Sequence, residues 1–305
     1  MHSLESLTLQ FCDYAEHIKG YQPKTISRYK KVITMYRNMV GISALHQVTP
    51  ETIDQFFLTG RTERLWKPST FHNYYMTLSA FFNWCRKRGY LEIDPLELIE
   101  LPKLPKQLPK NLTKEAAFSI LDAIENEITA HPFLRKRNYA IFHMFLMTGL
   151  RRSELLKLRL ADIDIEGLTI HVRRGKNAKD RNIPMTLELS QTLILYLEER
   201  RKLGKTCAAF FTSFTLDAPF TISGLEKLVR KLRRLSGVRF YLHQLRHTFA
   251  TMMIEGGCDV YSLSRMMGHS DITTTTIYLS ASVEHLRLKV QQHPLNSRIA
   301  TDKVL

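Results

Sequence analysis

Apolar side chains recur at helical spacing through the first hundred residues. Leu7, Phe11, Tyr14 and Ile18 fall on one face, Ile26, Tyr29, Ile33 and Tyr36 on a second, and Phe71, Tyr75, Leu78 and Phe82 on a third. Pro23 and Pro68 stand just ahead of helical stretches, with Thr25 and Ser69 as candidate caps. The pattern predicts a four- or five-helix bundle whose aromatic rings pack its interior rather than stack on bases. It stops at residues 101–110, where Pro102, Pro105 and Pro109, each followed by a lysine, deny helix and favour an extended path. This segment reads as a linker, either an inert spacer or one whose Lys103, Lys106 and Lys110 touch phosphates.

Helical periodicity resumes beyond it. Thr113 is placed to cap a helix through Ala116, Ile120 and Ile124, and the apolar run Tyr139 to Met147 fits a buried helix broken at Thr148-Gly149. A helix over Arg152 to Leu158 then leads to two short strands, Leu168 to Arg173 and Arg181 to Met185, around the basic tip Gly175-Lys-Asn-Ala-Lys-Asp180. Helical pattern follows to about residue 290, with turn signals at Gly237, Gly256-Gly257 and Gly268. The expected fold class is mainly α with a small β-hairpin. The expected division is a helical domain over 1–100, a Pro/Lys linker over 101–112 and a second domain over 113–305.

Composition adds the partner. The chain of 305 residues is long enough for two cores, and 44% hydrophobic with 24% charged residues is ordinary for folded protein. A formal charge of +15 points to a polyanion. The first 110 residues already hold 15 Lys and Arg against 10 Asp and Glu, so both halves are basic. Lys24, Arg28, Lys67, Thr70 and Asn73, near predicted helix starts, are candidate DNA contacts or simply solvated. Cys12, Cys85, Cys207 and Cys258 show no metal-ligand or disulfide spacing. With no apolar run long enough to cross a membrane, and with Glu5, Asp13 and Glu16 where a secretory signal would be basic and apolar, a cytoplasmic location is expected.

Four stretches stand out together: Thr148-Gly-Leu-Arg-Arg-Ser-Glu154, Gly175-Lys-Asn-Ala-Lys-Asp-Arg181, His243-Gln-Leu-Arg-His247, and Gly268-His269 with Tyr278 nine residues on. At these residues the chain resembles the tyrosine recombinase family of phage integrases and Xer proteins. The resemblance implies a helical core-binding domain of SAM-like type, a mixed α+β catalytic domain, and site-specific cutting and rejoining of double-stranded DNA through a 3′-phosphotyrosyl bond, with no metal, ATP or other cofactor. It implies Tyr278 as nucleophile and Arg151 and Arg246 as the pair that binds the phosphate, because a guanidinium is a permanently charged fork of donors matched to phosphate oxygens. His243 would bond the phosphate or manage the nucleophile's proton, His269 would add a donor, and Lys176 would protonate the 5′-oxygen leaving group. Arg152 competes with Arg151. Lys179, Arg173 and Arg174 compete with Lys176, or hold backbone phosphates. His247 and His243 lie four apart as in zinc proteases, but Gln244 stands where the glutamate base belongs and no third ligand is evident. His247 is therefore read as structural, and Glu154 and Asp180 as residues that orient cations.

Met267 replaces the family's usual leucine before Gly268-His269, and Leu279-Ser280 replaces Thr-His after Tyr278. No arm-type DNA-binding domain is expected ahead of the helical half. The resemblance further implies a homotetramer on two duplexes, or assembly with a related recombinase subunit. Val283, Leu286 and Val290 have the spacing of a helix that either docks on a neighbouring protomer or packs on its own domain. A DNA-binding regulator without catalysis and a type IB topoisomerase are the competing readings. The intact set of six residue types argues against the first, and the short chain with Xer-like motifs against the second.

Overall fold

The computed structural model describes residues 2–105, 110–127, 131–173, 180–269 and 271–281. Lys106, Arg174, Lys176, Lys179 and the segment 283–290 lie outside the described residues. The chain forms two compact units, residues 1–106 and 107–305.

The first unit is helical. Helix α1 spans Leu4–Asp13, α2 Pro23–Val40, α3 Pro50–Thr62 and α4 Pro68–Lys87. Three of the four begin with proline, whose missing N–H costs nothing at a position where no intrahelical acceptor exists. The core holds Leu7, Phe11, Tyr29, Tyr36, Phe56 and Phe82, with Tyr36 set edge-on to Phe56 at 5.4 Å between centroids. The rings are thus packing, as their spacing predicts.

Two local expectations fail. Thr25 and Ser69 are not caps: the cap positions are Gln22 and Lys67, neither with a side-chain cap bond, because each proline is itself the first helical residue. Ile18 does not share the face of Leu7 and Phe11 but is 71% exposed. Residues Tyr14–Ile18 form a π-helical turn in which Lys19 N–H donates to Tyr14 C=O, and the extra residue per turn shifts the phase after Tyr14.

The second unit carries α5 Lys114–Glu125, α6 Pro132–Thr148, α7 Arg152–Leu155, α8 Leu187–Lys202, α9 Ile222–Ser236, α10 Leu242–Glu255, α11 Val260–Met267 and α12 Thr273–Ala281. Between α7 and α8 lies an antiparallel sheet in the order β1 (Ile163–Asp164), β2 (Thr169–Val172), β3 (Arg181–Pro184). The register pairs Ile170 with Ile183 and Val172 with Arg181. Ile170, Val172 and Ile183 are buried while His171 and Asn182 turn to the other face, the period-two alternation of a one-sided sheet. Strand β1 is an addition to the expected hairpin, too short for alternation to reveal. Thr113 caps α5 as predicted, its Oγ1 accepting from Ala116 N–H. Helix α7 ends at Leu155 rather than Leu158 because the chain from Leu158 onward pairs in extended form with residues 208–210, Phe210 N–H donating to Leu158 O at 2.8 Å and Leu160 N–H to Ala208 O at 3.0 Å.

Gly149 ends α6 in the left-handed region at φ +60°, and a Cβ there would sit 2.3 Å from the Phe249 ring on α10. The close approach of these two helices depends on glycine. Gly149→Ala is expected to lower unfolding stability by about 2–4 kcal/mol, combining left-handed strain with overpacking, as read from urea denaturation. An unchanged midpoint would show that α6 and α10 can separate without cost.

Candidate active site

Four elements bring charged and polar side chains to the turn Met267-Gly268-His269. Gly268 closes α11 at φ +63°, which turns the Met267 and Gly268 carbonyls toward the cations described next. Arg246, in the second turn of α10 and 3% exposed, donates through Nη1 to Gly149 O and through Nη2 to Met267 O at 2.8 Å. Its Nη2 also lies 3.0 Å from His269 Nε2. A guanidinium has no acceptor, so His269 Nε2 must accept and Nδ1 must carry the proton, which it gives to Thr275 Oγ1 at 2.7 Å. His269 is therefore neutral and braces Arg246, with its N–H directed at Thr275. Burial and the facing Arg151 pull Arg246 down to about 10, which leaves it cationic at neutral pH.

Arg151 occupies the cap position of α7, where extended backbone aims its side chain at the same turn. Its Nη1 and Nη2 stand 3.5 and 3.4 Å from the Met267 and Gly268 carbonyls. Arg152 turns outward to Glu226 on α9 at 2.9 Å, so of the adjacent pair it is Arg151 that reaches the cluster. Glu154 fixes it: its carboxylate accepts from Arg151 N–H at 2.8 Å and from Arg151 Nη1 at 2.9 Å. Arg181 on β3 completes the brace with two parallel bonds to Glu154 at 3.0 and 2.9 Å and a third from Nε to Met266 O. Burial alone would raise the Glu154 carboxyl, but the bonds from Arg181 and Arg151 overcome it and hold the group down at about 2.

That depression is a stability statement with a definite sign. The folded pKa lies below the unfolded one, so the contribution is complete above the unfolded value of 4.5 and disappears as pH falls toward about 2. At 1.36 kcal/mol per pH unit it amounts to about 3 kcal/mol. Glu154→Gln is expected to lose most of this at pH 7 and to flatten the acid limb of stability in that window, measured by urea unfolding at a series of pH values. An unflattened limb would mean that Glu154 does not anchor the two arginines.

His247 on α10 faces α12. His243 and His247 meet edge to face at 4.4 Å, and His247 Nδ1 lies 2.8 Å from the Tyr278 hydroxyl. Tyr278 is 2% exposed, packed with Phe249, Ala250, Ile254, Leu263 and Met267. Burial pushes its phenol up, opposed by Arg246. Burial and then Arg246 and Arg151 lower His243. Burial, His243 and Arg246 bring His247 down to about 4.

The structure therefore gathers Arg151, His243, Arg246, His269 and Tyr278; Lys176 lies outside the described residues. The sequence reading missed Arg181 as part of the cluster, although it ends the same Gly175–Arg181 stretch. It also missed His247 as the partner of Tyr278 and Thr275 as the partner of His269. Among the expected DNA contacts, Lys24, Arg28, Lys67, Asn73 and Lys103 are exposed and Thr70 is half-buried. Lys67, Thr70 and Asn73 follow one another at single-turn spacing along the start of α4. Arg173 is exposed but engages the buried Asp162 at 2.7 Å, which commits one of its donors. Among the described residues no group of three or more His, Cys, Asp or Glu side chains gathers as a metal site would, and no helix is long and apolar enough to cross a membrane.

Residues 110–285 match the Phage integrase family, and residues 7–92 match the Phage integrase N-terminal SAM-like domain. Tyrosine recombinase XerA of Thermococcus onnurineus is 32% identical, over 94% of this chain and 95% of that protein. Tyrosine recombinase XerC of Lactobacillus delbrueckii subsp. bulgaricus is 29% identical, over 94% and 98%. The fold is shared with the XerH site-specific recombinase bound to its difH substrate, at TM-score 0.74, 20% identity, and coverage of 92% of this chain and 82% of that one. It is likewise shared with the Tn1549 transposon integrase in complex with a circular intermediate DNA, at TM-score 0.76, 19% identity, and coverage of 96% and 99%. With a family match over most of the second unit and relatives aligned along nearly the whole length, the chain belongs to the phage integrase family of tyrosine recombinases.

Proposed function

We propose that this chain is a site-specific DNA recombinase that cleaves and rejoins double-stranded DNA with Tyr278 as nucleophile. The observation that carries the reading is the convergence of Arg151 and Arg246, from helices far apart in sequence, on the Met267–His269 turn against which Tyr278 packs. Two fixed cations facing one point suit the charge that gathers on a phosphodiester's nonbridging oxygens during attack. Arg246 commits at least three of its contacts to protein groups, which fixes the plane of its fork before DNA arrives.

In the proposed reaction the Tyr278 oxygen bonds phosphorus, the bond to the 5′-oxygen breaks, and Lys176 gives that oxygen a proton. The 3′-phosphotyrosyl ester keeps the energy of the broken bond, so a 5′-hydroxyl from a second duplex reverses the step without ATP or metal. His243 contributes a donor to the phosphate, and His269 keeps Arg246 in register. A phenol raised by burial stays neutral at rest, which guards against ionisation before the phosphate is seated. Lys24, Arg28, Lys67, Thr70, Asn73, Lys103, Lys106, Arg173, Arg174 and Lys179 supply backbone contacts along the duplex. The partner is a recombination site gripped by four protomers on two duplexes, of this chain or with a related subunit, in the cytoplasm. The domain boundaries follow the same reading, with a core-binding half over 1–100, the Pro/Lys linker over 101–112 and the catalytic half from residue 113.

The test is to incubate the protein with fragmented DNA from the surroundings of its own gene, quench with detergent, sequence the protein-linked DNA and map the linked peptide. A defined site joined to the peptide holding Tyr278 is expected. Tight DNA binding to such a site with no covalent product would favour the noncatalytic regulator.

A further inference from the structure

The nucleophile's proton needs an acceptor, and residue spacing offers His243 for it. The geometry offers another group. Among the described residues, the one hydrogen-bond partner of the Tyr278 hydroxyl is His247 Nδ1 at 2.8 Å. His243 meets the His247 ring edge to face and makes no hydrogen bond with the phenol. We propose that His247 takes the Tyr278 phenolic proton during cleavage and returns it during rejoining, while His243 serves the phosphate. This rests on the reading of Tyr278 as nucleophile.

The step balances. As the phenol oxygen bonds phosphorus, its proton moves to His247 Nδ1, the electron pair of the breaking P–O bond goes to the 5′-oxygen, and Lys176 supplies that oxygen's proton. The reverse step needs both protons where cleavage left them. Acceptance requires neutral imidazole with its proton on Nε2. The groups facing His247 favour the neutral form: burial, His243 and Arg246 hold it down at about 4, and Tyr278 is the facing group from α12. A phosphodiester seated on Arg246 brings negative charge that offsets this positive field, so the acceptor strengthens when the substrate is in place. Without DNA the pair stays neutral, a hydrogen bond rather than an ion pair.

The test uses the full chain and the site recovered from the linkage experiment. That site is synthesised once with a normal scissile phosphate and once with sulfur as the 5′-bridging leaving atom, which needs no protonation. Wild type, His247→Leu and His247→Asn are compared in single-turnover covalent linkage, with Tyr278→Phe as zero and DNA binding measured separately. Asparagine retains a hydrogen-bond acceptor but takes no proton, and it carries the test should the leucine variant not fold. Both His247 variants are expected to link at least about 100-fold more slowly with DNA binding unchanged, and the sulfur substrate to restore neither. Both are also expected to lose the acidic fall in rate that wild type shows as the imidazole protonates.

Wild-type speed in His247→Asn would reduce His247 to an orienting role and overturn the proposal. Rescue by sulfur would move its role to the leaving group and do the same. Linkage absent even from wild type would instead remove the nucleophile reading, and this inference with it. In the free protein, the Cζ resonance of labelled Tyr278 is expected to move on His247→Leu; an unmoved resonance would show that the hydrogen bond does not exist.

Discussion

Tyr278→Phe is expected to bring covalent DNA attachment down to background while leaving site binding within a few-fold of wild type. The substitution removes one oxygen and keeps the ring among Phe249, Ile254, Leu263 and Met267, so the packing that positions α12 persists. The lost hydrogen bond to His247 costs about 1 kcal/mol, too little to unfold the unit. Chemistry suffers far more, because a phenyl ring has nothing with which to form an ester. The measurement is detergent-resistant protein–DNA product beside a gel-shift titration on the same site. Product from the phenylalanine protein would transfer the role to another of the twelve tyrosines.

The second large effect is expected at Arg246. Arg246→Lys keeps the charge, yet single-turnover cleavage should fall by about 1000-fold, the scale seen when one preorganised donor to a developing oxyanion is removed. The reason is the fork. Arg246 holds Gly149 O, Met267 O and His269 Nε2 at once and still has N–H groups for a phosphate, whereas an ammonium offers three donors from a single point. The buried carbonyl of Gly149 or Met267 would lose its donor, so a stability loss of about 2 kcal/mol should accompany the rate loss. Rates on a preformed complex separate the two, since a folding defect lowers the active fraction while a donor defect lowers the rate of every molecule. Near-wild-type turnover in the lysine protein would show that charge alone suffices at this position.

The stability expected of Glu154 and the positioning of Arg151 rest on one network. Glu154 ties Arg151 to Arg181, so β3, α7 and the α11 turn are joined by the same ion pairs that aim Arg151 at the Met267 and Gly268 carbonyls. The Arg181–Glu154 pair is shielded, with side-chain exposures of 8% and 10%, so salt screens it weakly, whereas Arg151 is 40% exposed and its pair is screened more. Breaking one partner leaves the other charge buried, the costly direction for such pairs.

The sequence by itself determined the helical division on either side of a proline-rich segment, the aromatic interior of the first unit, the hairpin, and the order of the four motifs by which the family is recognised. These rest on signals confined to a few turns of chain: a 3.6-residue period, prolines that refuse helix, a threonine cap at Thr113. Where a local element deviates, as in the π-helical turn that carries Ile18 outward, the same period misleads within a single turn. Only the tertiary structure decided which of two adjacent arginines faces inward, that Arg181 is part of the cluster, that α7 stops at Leu155, and that His247 rather than His243 holds the Tyr278 hydroxyl. Each of those outcomes is set by a partner remote in sequence. Met267 lies 116 residues from Arg151 and Gly149 lies 97 from Arg246, and the packing of α6, α10 and α11 brings those carbonyls to the guanidiniums. Residue spacing can put His243 and His247 on one face of α10, but the direction in which Tyr278 approaches that face is fixed by where α12 packs.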